Sequence, residues 1–219
     1  KMPYDMVKDF TPVSLVATTP NLLVVPANSP IKSITQLVQT AQAQPGRLRF
    51  GSGGSGSSMH VLAEVFAEQA HVQFEHIPYK SSSQMVQELM GGQIDFAFHN
   101  IAVVMPFVKS GKLRALAVGS PQPSALAPGL PTMAASGLPG YEFGGWTGLF
   151  VRGGTPREVI RRIEADTTKM LAAPEVTAFF PRWGVELYNL GTEEFTARYL
   201  ADIDKYTRII RDAKIPQVE

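Results

Sequence analysis

The stretch RLRFGSGGSGSSMH, residues 47–60, predicts a short strand that runs through a glycine- and serine-rich loop into a helix. The glycines let the loop turn backbone N–H groups inward. Ser55, Ser57 and Ser58 add hydroxyl donors at the first turn of the helix, which is predicted over 59–70. Free N–H groups and the positive end of the helix dipole both favour a carboxylate or phosphate there.

The loop contains no Lys, Arg or Asp, so it offers hydrogen bonds rather than a countercharge. This composition predicts a small anion that is held reversibly, and not a nucleotide with bound magnesium. Ordinary turn and cap chemistry of the serines stays open as the alternative interpretation.

Apolar runs typical of strands alternate with helical patterns on both sides of the loop, which is typical of a parallel sheet with crossover helices. The predicted strands are 13–17, 22–25, 48–50, 74–77, 94–98, 113–118, 141–151 and 185–188. The predicted helices are 34–43, 59–70, 84–90, 132–136, 156–171, 174–180 and 192–212. The sequence therefore predicts an α/β fold.

Composition excludes several classes of protein. Of the 219 residues, 44% are hydrophobic and 18% are charged, with a net charge of +1, so neither disorder nor a nucleic-acid surface is predicted. The chain has no cysteine, and His60, His71 and His76 lack metal-ligand spacing, so no metal site and no cofactor are predicted. The longest apolar run, near Ile101–Val108, contains Pro106 and is too short to span a bilayer.

Four blocks of the sequence together resemble the Bug or TctC family, the extracytoplasmic solute-binding proteins of tripartite tricarboxylate transporters. The blocks are DFTPVSLVATTPNLLVV (9–25), PGRLRFGSGGSGSSMH (45–60), HIPYKSSSQMVQELMGGQIDFAFHN (76–100) and GKLRALAVGSPQPSALAPGLPTMAASGLPGYE (111–142). The resemblance implies a type II periplasmic-binding-protein fold with two α/β domains and a cleft between them. It also implies hinge closure on a small organic carboxylate, delivery to membrane permease subunits, and a periplasmic location reached through a signal sequence that is not in this chain.

The resemblance also implies the domain boundaries. Residues 1–19 and 143–219 would form the first domain, which is expected to be incomplete because the amino-terminal part of the family pattern precedes Lys1. Residues 20–142 would form the second domain, with a parallel sheet and the anion-binding loop. The hinge strands are expected near 16–21 and 140–149.

Three groups of residues outside the loop are candidate ligand contacts. Thr19 and Asn21 lie where the chain is expected to cross between the domains, and Tyr79 and Trp146 lie where a cleft wall is expected. His99 and Asn100 end a predicted parallel strand, and ligands of open α/β sheets gather beyond such ends. In the family, an acidic residue commonly stands at the position of His99. The full predicted set is Thr19, Asn21, Gly53, Ser55, Gly56, Ser57, Ser58, Tyr79, His99, Asn100 and Trp146.

Purely structural roles stay open for these candidates. The aromatic residues could be core residues, and His99 and Asn100 could form an ordinary surface pair.

One alternative function is a dinucleotide-binding oxidoreductase, because Gly51, Gly53 and Gly56 satisfy GxGxxG and Glu75 follows at nearly the required distance. No catalytic acid, base or nucleophile accompanies the loop, so a protein that is not an enzyme is predicted. A periplasmic sensor input module with the same fold is the other alternative.

Overall fold

The computed structural model describes residues 3–212. The strands are β1 Phe10–Pro26, β2 Arg49–Ser52, β3 Glu75–Pro78, β4 Phe96–Asn100, β5 Leu113–Val118, β6 Gly144–Arg152 and β7 Glu186–Leu190. The helices are α1 Ile34–Ala43, α2 Ser58–Ala70, α3 Ser82–Met90, α4 Ile101–Lys109, α5 Arg157–Leu171, α6 Pro174–Phe179 and α7 Thr192–Asp212. Single 3-10 turns lie at Ala134–Ser136 and Phe180–Trp183.

The described residues divide into two compact units. The first contains residues 3–19 and Gly145–Arg208, and the second contains Pro20–Gly144 and residues 209–212. In the first unit, the amino-terminal half of β1 pairs with β7, and α7 packs through Phe195 and Tyr199 against Leu15.

The sheet of the second unit has the strand order β3-β2-β4-β1-β5. β2 runs parallel to both β3 and β4, whereas β1 is antiparallel to both β4 and β5. The prediction of a parallel sheet is therefore wrong for β1. β1 ends and β2 begins at the same edge of the sheet, so α1 is not a crossover helix. Helical periodicity alone does not distinguish a helix that joins antiparallel strands at one edge from a helix that crosses between parallel strands.

β1 is one continuous strand of 17 residues. The sequence analysis predicted two separate strands, 13–17 and 22–25, and the structure joins them into this one strand. Pro20 lies between Thr18, which pairs with β7, and Asn21, which pairs with β4. A proline contributes no N–H to a ladder, so it fits where the strand exchanges one set of partners for another.

α4 is a helix that the sequence analysis did not predict. The carboxamide oxygen of Asn100 caps it by accepting a hydrogen bond from the Ala102 N–H at 2.8 Å. Ile101 and Val104 are buried against the sheet. A short apolar run gives no periodicity that separates a helix from a buried strand, which explains the omission.

α2 covers one face of the second unit's sheet, and α3 and α4 cover the other. Phe66 of α2 makes ring contacts with Phe74, Phe96 and Phe98. On the opposite face, the buried cluster includes Leu22, Val24, Met85, Val86, Leu89, Ala97, Ile101 and Val104. This packing fixes the position of α2 on the sheet. It therefore also positions the glycine- and serine-rich loop that precedes α2.

Candidate functional site

Three helices begin at one edge of the second unit's sheet. β2, β3 and β4 are parallel, so their carboxyl ends share an edge, and α2, α3 and α4 follow these strands directly. The caps of these helices are Ser57, Ser81 and Asn100, and each side-chain oxygen accepts a hydrogen bond from a backbone N–H in the first turn. The positive ends of three helix dipoles therefore lie at this edge and favour an anion.

The loop between β2 and α2 holds its backbone in a turned conformation. Gly54 and Gly56 have φ angles of +122° and +78°, which residues with a Cβ rarely adopt. The Gly54 N–H donates to Ser52 Oγ at 3.1 Å, and the Gly56 N–H donates to His60 Nδ1 at 3.0 Å. These bonds turn two of the loop's amide groups toward the protein.

Other amide groups of this segment have no acceptor. Within residues 3–212, the N–H groups of Gly53, Ser55, Ser58 and Met59 donate no hydrogen bond. Ser55 and Ser58 are also exposed, so their hydroxyl groups are accessible. The predicted anion site therefore has backbone and hydroxyl donors within one short segment, and no acidic side chain lies in that segment.

Asn21 and Asn100 lie at the same edge as this loop. They are direct partners across β1 and β4, so both side chains emerge on one face of the sheet. Phe98, two residues before Asn100, contacts Phe66 of α2, so this is the face that α2 covers. Among the described residues, the side chain of Asn21 makes no hydrogen bond, and Asn100 uses only its carboxamide oxygen. Two carboxamide donors are thus available on the side of the sheet where α2 begins.

His99 lies on the opposite face from Asn100. Its partner across the ladder is Leu22, which belongs to the cluster under α3 and α4. Only 3% of His99 is exposed, and neither ring nitrogen has a hydrogen-bond partner among residues 3–212. Burial lowers the pKa of His99, an effect partly opposed by the backbone at Asn100. The interpretation of His99 and Asn100 as one surface pair is therefore wrong, because strand alternation separates the two side chains.

Tyr79 packs beside the same α3 and α4 cluster. Burial raises the pKa of the Tyr79 hydroxyl, and the charge of Glu88 raises it further. Glu88 belongs to the last turn of α3, away from the end of α3 that lies at the sheet edge. Tyr79 is half-buried, and its N–H donates to the Ser52 carbonyl oxygen at 2.9 Å, so its backbone lies beside the loop while its ring packs on the core cluster.

Thr19 and Trp146 belong to the first unit. The indole N–H of Trp146 donates to Asp202 Oδ2 at 2.9 Å, and its ring packs edge-on against Phe195 and Tyr199 of α7. Thr19 is a half-buried residue of β1.

Sequence analysis missed a polar cluster beneath the loop. Ser52 Oγ lies 2.7 Å from His76 Nε2 in a hydrogen bond, and the rings of His76 and His60 stack with centroids 3.8 Å apart. His60 Nε2 lies 3.3 Å from Glu64 Oε1. The only sequence signal for this cluster is the spacing of His60 and Glu64 by one helical turn, because the position of His76 depends on the pairing of β2 with β3.

Lowering the pH from 7 to 4 is expected to destabilise the protein through His76. Burial, with a smaller contribution from the nearby His60, lowers the pKa of His76 from 6.5 to about 4. Between those pH values the unfolded chain binds a proton that the folded chain does not, so the free energy of unfolding falls as the pH falls. Urea unfolding at pH 7, 6, 5 and 4 measures this slope.

The matched variants are His76→Gln and His71→Gln, since His71 is exposed at the end of α2. The slope should become shallower in His76→Gln and stay unchanged in His71→Gln. Equal slopes in the wild-type chain and His76→Gln would contradict the assignment.

The dinucleotide interpretation fails on the position of Glu75. Glu75 is the first residue of β3 and pairs with Arg49, the first residue of β2, so it lies at the edge opposite the loop. A ribose-binding acid would have to lie at the carboxyl end of β3. Gly51 has a packing role instead, because a Cβ there would lie 2.4 Å from Ile94 Cδ1 and 2.7 Å from Met85 Cγ.

Two general features of the described residues bear on function. Within residues 3–212, no three His, Asp or Glu side chains lie close enough together to hold a metal ion. In the same part of the chain, none of the helices combines the length and the apolar character needed to cross a membrane.

Residues 1–215 match the model of a family described as the tripartite tricarboxylate transporter family receptor, TctC. The UPF0065 protein in the tcbD-tcbE intergenic region of Pseudomonas sp. (strain P51) is 35% identical over 216 residues. The matched region covers 98% of this chain and 64% of that protein. The chain thus spans less than two thirds of the length of this relative.

Two solved structures share the fold. Rpa4515 of R. palustris, solved with adipate, has a TM-score of 0.82 and 29% identity, over 100% of this chain and 73% of that one. MatC (Rpa3494) from Rhodopseudomonas palustris, solved with bound malate, has a TM-score of 0.67 and 27% identity, over 84% of this chain and 63% of that one. These matches confirm the predicted α/β fold of the periplasmic solute-binding class.

Proposed function

The chain belongs to the tripartite tricarboxylate transporter receptor family, TctC, and from that premise we propose that it captures a small organic carboxylate at the loop 53–58. The observation that carries the proposal is the set of unpaired N–H groups at Gly53, Ser55, Ser58 and Met59, at the sheet edge where three helices begin. Hydrogen bonds from such groups to a charged carboxylate are stronger than those between neutral partners.

The proposed ligand class is a dicarboxylate of the size of malate or adipate. Relatives in the same family carry these two acids in their solved structures. One carboxylate would accept hydrogen bonds from the loop, and the carboxamides of Asn21 and Asn100 would donate to the ligand on the same face of the sheet. Since all these donors are neutral, binding is expected to be reversible.

We propose that the two compact units are the two domains of the receptor and that they close on the ligand. The chain passes between the units at Thr19–Pro20, at Gly144–Gly145 and within α7. Thr19 and Trp146 would supply contacts from the first unit. Closure follows only if the ligand makes contacts in the closed form that the open form lacks.

The closed form would be delivered to the permease subunits of a tripartite tricarboxylate transporter in the periplasm. We propose a receptor that releases its ligand unchanged and is not an enzyme. In support, Ser57 Oγ accepts the His60 N–H as a helix cap, and His60 Nδ1 accepts the Gly56 N–H, so neither is arranged as a nucleophile with its base.

Thermal unfolding with a ligand panel tests this proposal. The panel contains malate, adipate, succinate, citrate, benzoate, glutamate and NAD. A ligand present at about 100 times its dissociation constant adds about 2.7 kcal/mol to the free energy of unfolding. A rise in the midpoint with one class of carboxylate supports the proposal, whereas a rise with NAD alone, or with none of the acids, contradicts it.

Ser57→Ala combined with Ser58→Ala is expected to weaken binding of the carboxylate found in that panel by about tenfold, since one or two hydroxyl donors are lost. Ser57 also caps α2, so the same change should lower the free energy of unfolding by about 1 kcal/mol. Titration calorimetry measures the affinity, and urea unfolding measures the stability.

Ser33→Ala is the matched control, because Ser33 caps α1 in the same way through the Gln36 N–H. It should lower stability by a similar amount and leave the affinity unchanged. An unchanged affinity in the double variant would show that neither hydroxyl group contacts the carboxylate.

A further inference from the structure

The side chain of His60, next to the loop, is held by several contacts at once. It occupies the third position of α2, and it is buried. Its Nδ1 accepts the Gly56 N–H at 3.0 Å, while its ring stacks on His76 with an interplanar angle of 13°. Each of these contacts fixes a different degree of freedom of the ring, so the position of Nδ1 is well determined.

The bond to Gly56 selects one tautomer of the neutral imidazole ring of His60. A backbone N–H can only donate, so Nδ1 must carry a lone pair, and a neutral ring then has its proton on Nε2. Nε2 lies 3.3 Å from the Glu64 carboxylate, which favours the proton at that nitrogen. Helix α2 thus carries both His60 and Glu64, whose carboxylate favours this tautomer of His60.

The second histidine fixes the other end of the loop. His76 is hydrogen-bonded to Ser52 Oγ. The Ser52 hydroxyl accepts the Gly54 N–H at 3.1 Å and donates to the Gly54 carbonyl oxygen at 3.0 Å. His76 also stacks on Phe50 of β2. The amides of Gly54 and Gly56 are therefore both directed toward the two histidines, through Ser52 in one case and directly in the other.

We propose that His60 is a positioning residue for the anion site: by capturing the Gly56 N–H, it holds the loop in the conformation that leaves the N–H groups of Ser55 and Ser58 available to a carboxylate. His76 supports this arrangement through Ser52 and through the stacked ring. This inference rests on the proposed function. This positioning role differs from a purely structural role of His60. In the positioning role, the affinity for the carboxylate depends on the loop conformation and not on the packing of α2.

The test compares His60→Leu with His60→Asn. Both variants lose the imidazole stack and the contact with Glu64, so both should be less stable than the wild-type chain. Asparagine keeps an acceptor at nearly the place of Nδ1, whereas leucine has none. Adipate and malate are the probes, titration calorimetry measures the affinity, and amide hydrogen exchange followed by NMR reports on Gly56. His71→Asn, on the exposed end of α2, is the control.

For His60→Leu we expect an affinity about tenfold lower and faster amide exchange at Gly56 by about the same factor. For His60→Asn we expect an affinity within about threefold of wild type and slow exchange at Gly56, because the acceptor is restored. The control should match wild type in both measurements.

Equal loss of affinity in the leucine and asparagine variants, in proportion to their loss of stability, would overturn the positioning role. Unchanged affinity in both variants would also overturn it. If the wild-type chain binds neither acid, the proposed function fails in this test. The exchange rates of Gly56 in the unliganded variants still decide whether His60 holds the loop.

Discussion

Ser55→Asp is expected to reduce the affinity for a carboxylate ligand at least about 100-fold, the largest effect on binding from any single substitution in the loop. Ser55 is exposed, and its N–H has no acceptor among residues 3–212. Two like charges about 5 Å apart near a protein surface repel by about 3 kcal/mol, and 2.7 kcal/mol corresponds to a factor of about 100. Titration calorimetry with the best acid of the panel measures the change.

Ser55→Asn is the matched control, since asparagine has the size of aspartate without its charge. Its affinity should stay within about fivefold of wild type. Both variants should unfold within about 0.5 kcal/mol of the wild-type chain, because an exposed loop residue makes few contacts that contribute to stability. Equally tight binding of the acid by the aspartate and asparagine variants would show that the carboxylate does not bind at this loop.

Phe66→Ala is expected to lower the free energy of unfolding by about 3–5 kcal/mol, the largest effect on stability. Phe66 is fully buried, and its ring contacts three other phenylalanines of the face that α2 covers. Alanine would leave a cavity there that the surrounding rings cannot fill without moving. A fall of about 10 °C in the unfolding midpoint follows for a chain of this size.

Phe179→Ala is the control for Phe66→Ala, because Phe179 is 54% exposed and its ring contacts within residues 3–212 are with Phe180 and Trp183 of its own segment. Its change in the free energy of unfolding should be below about 1 kcal/mol. Equal destabilisation by the two substitutions would mean that α2 is not held to the sheet by this aromatic cluster.

Local signals explain which elements could be predicted. Helix α1 has the predicted bounds, because Ser33, which caps the helix, lies directly before a periodic apolar pattern. Helix α7 also has its predicted bounds, since Thr192 and two glutamates mark its start. The loop before α2 was predicted correctly as a turn into a helix, since glycine and serine determine such geometry within a few residues.

Non-local contacts explain which features the sequence analysis predicted wrongly or missed. The direction of β1 depends on its pairing with β4 and β5, which are far apart in sequence from it. The burial of His99 depends on the face of β4 that α3 and α4 cover. The stack of His60 on His76 requires the pairing of β2 with β3. None of these contacts leaves a periodic or compositional trace in a single sequence.

The predicted site residues fall into three groups, because strand pairing, which is non-local, decides where each of them lies. The loop residues and Asn100 share one edge because β2 and β4 are parallel neighbours. Asn21 joins them through its pairing with Asn100. Tyr79 and His99 lie at the same edge of the sheet, but their side chains lie on the opposite face, beside the core cluster. Thr19 and Trp146 belong to the first unit.

Amide chemical shifts, mapped by NMR while adipate or malate is added to the chain, test whether the loop 53–58 binds the carboxylate. The largest changes are expected at the amides of Gly53, Ser55, Ser58 and Met59, which donate no hydrogen bond within residues 3–212. The carboxamide signals of Asn21 and Asn100 should also move. Saturable changes that leave this loop unaffected, or no change at all with either acid, would rule out the proposed carboxylate site.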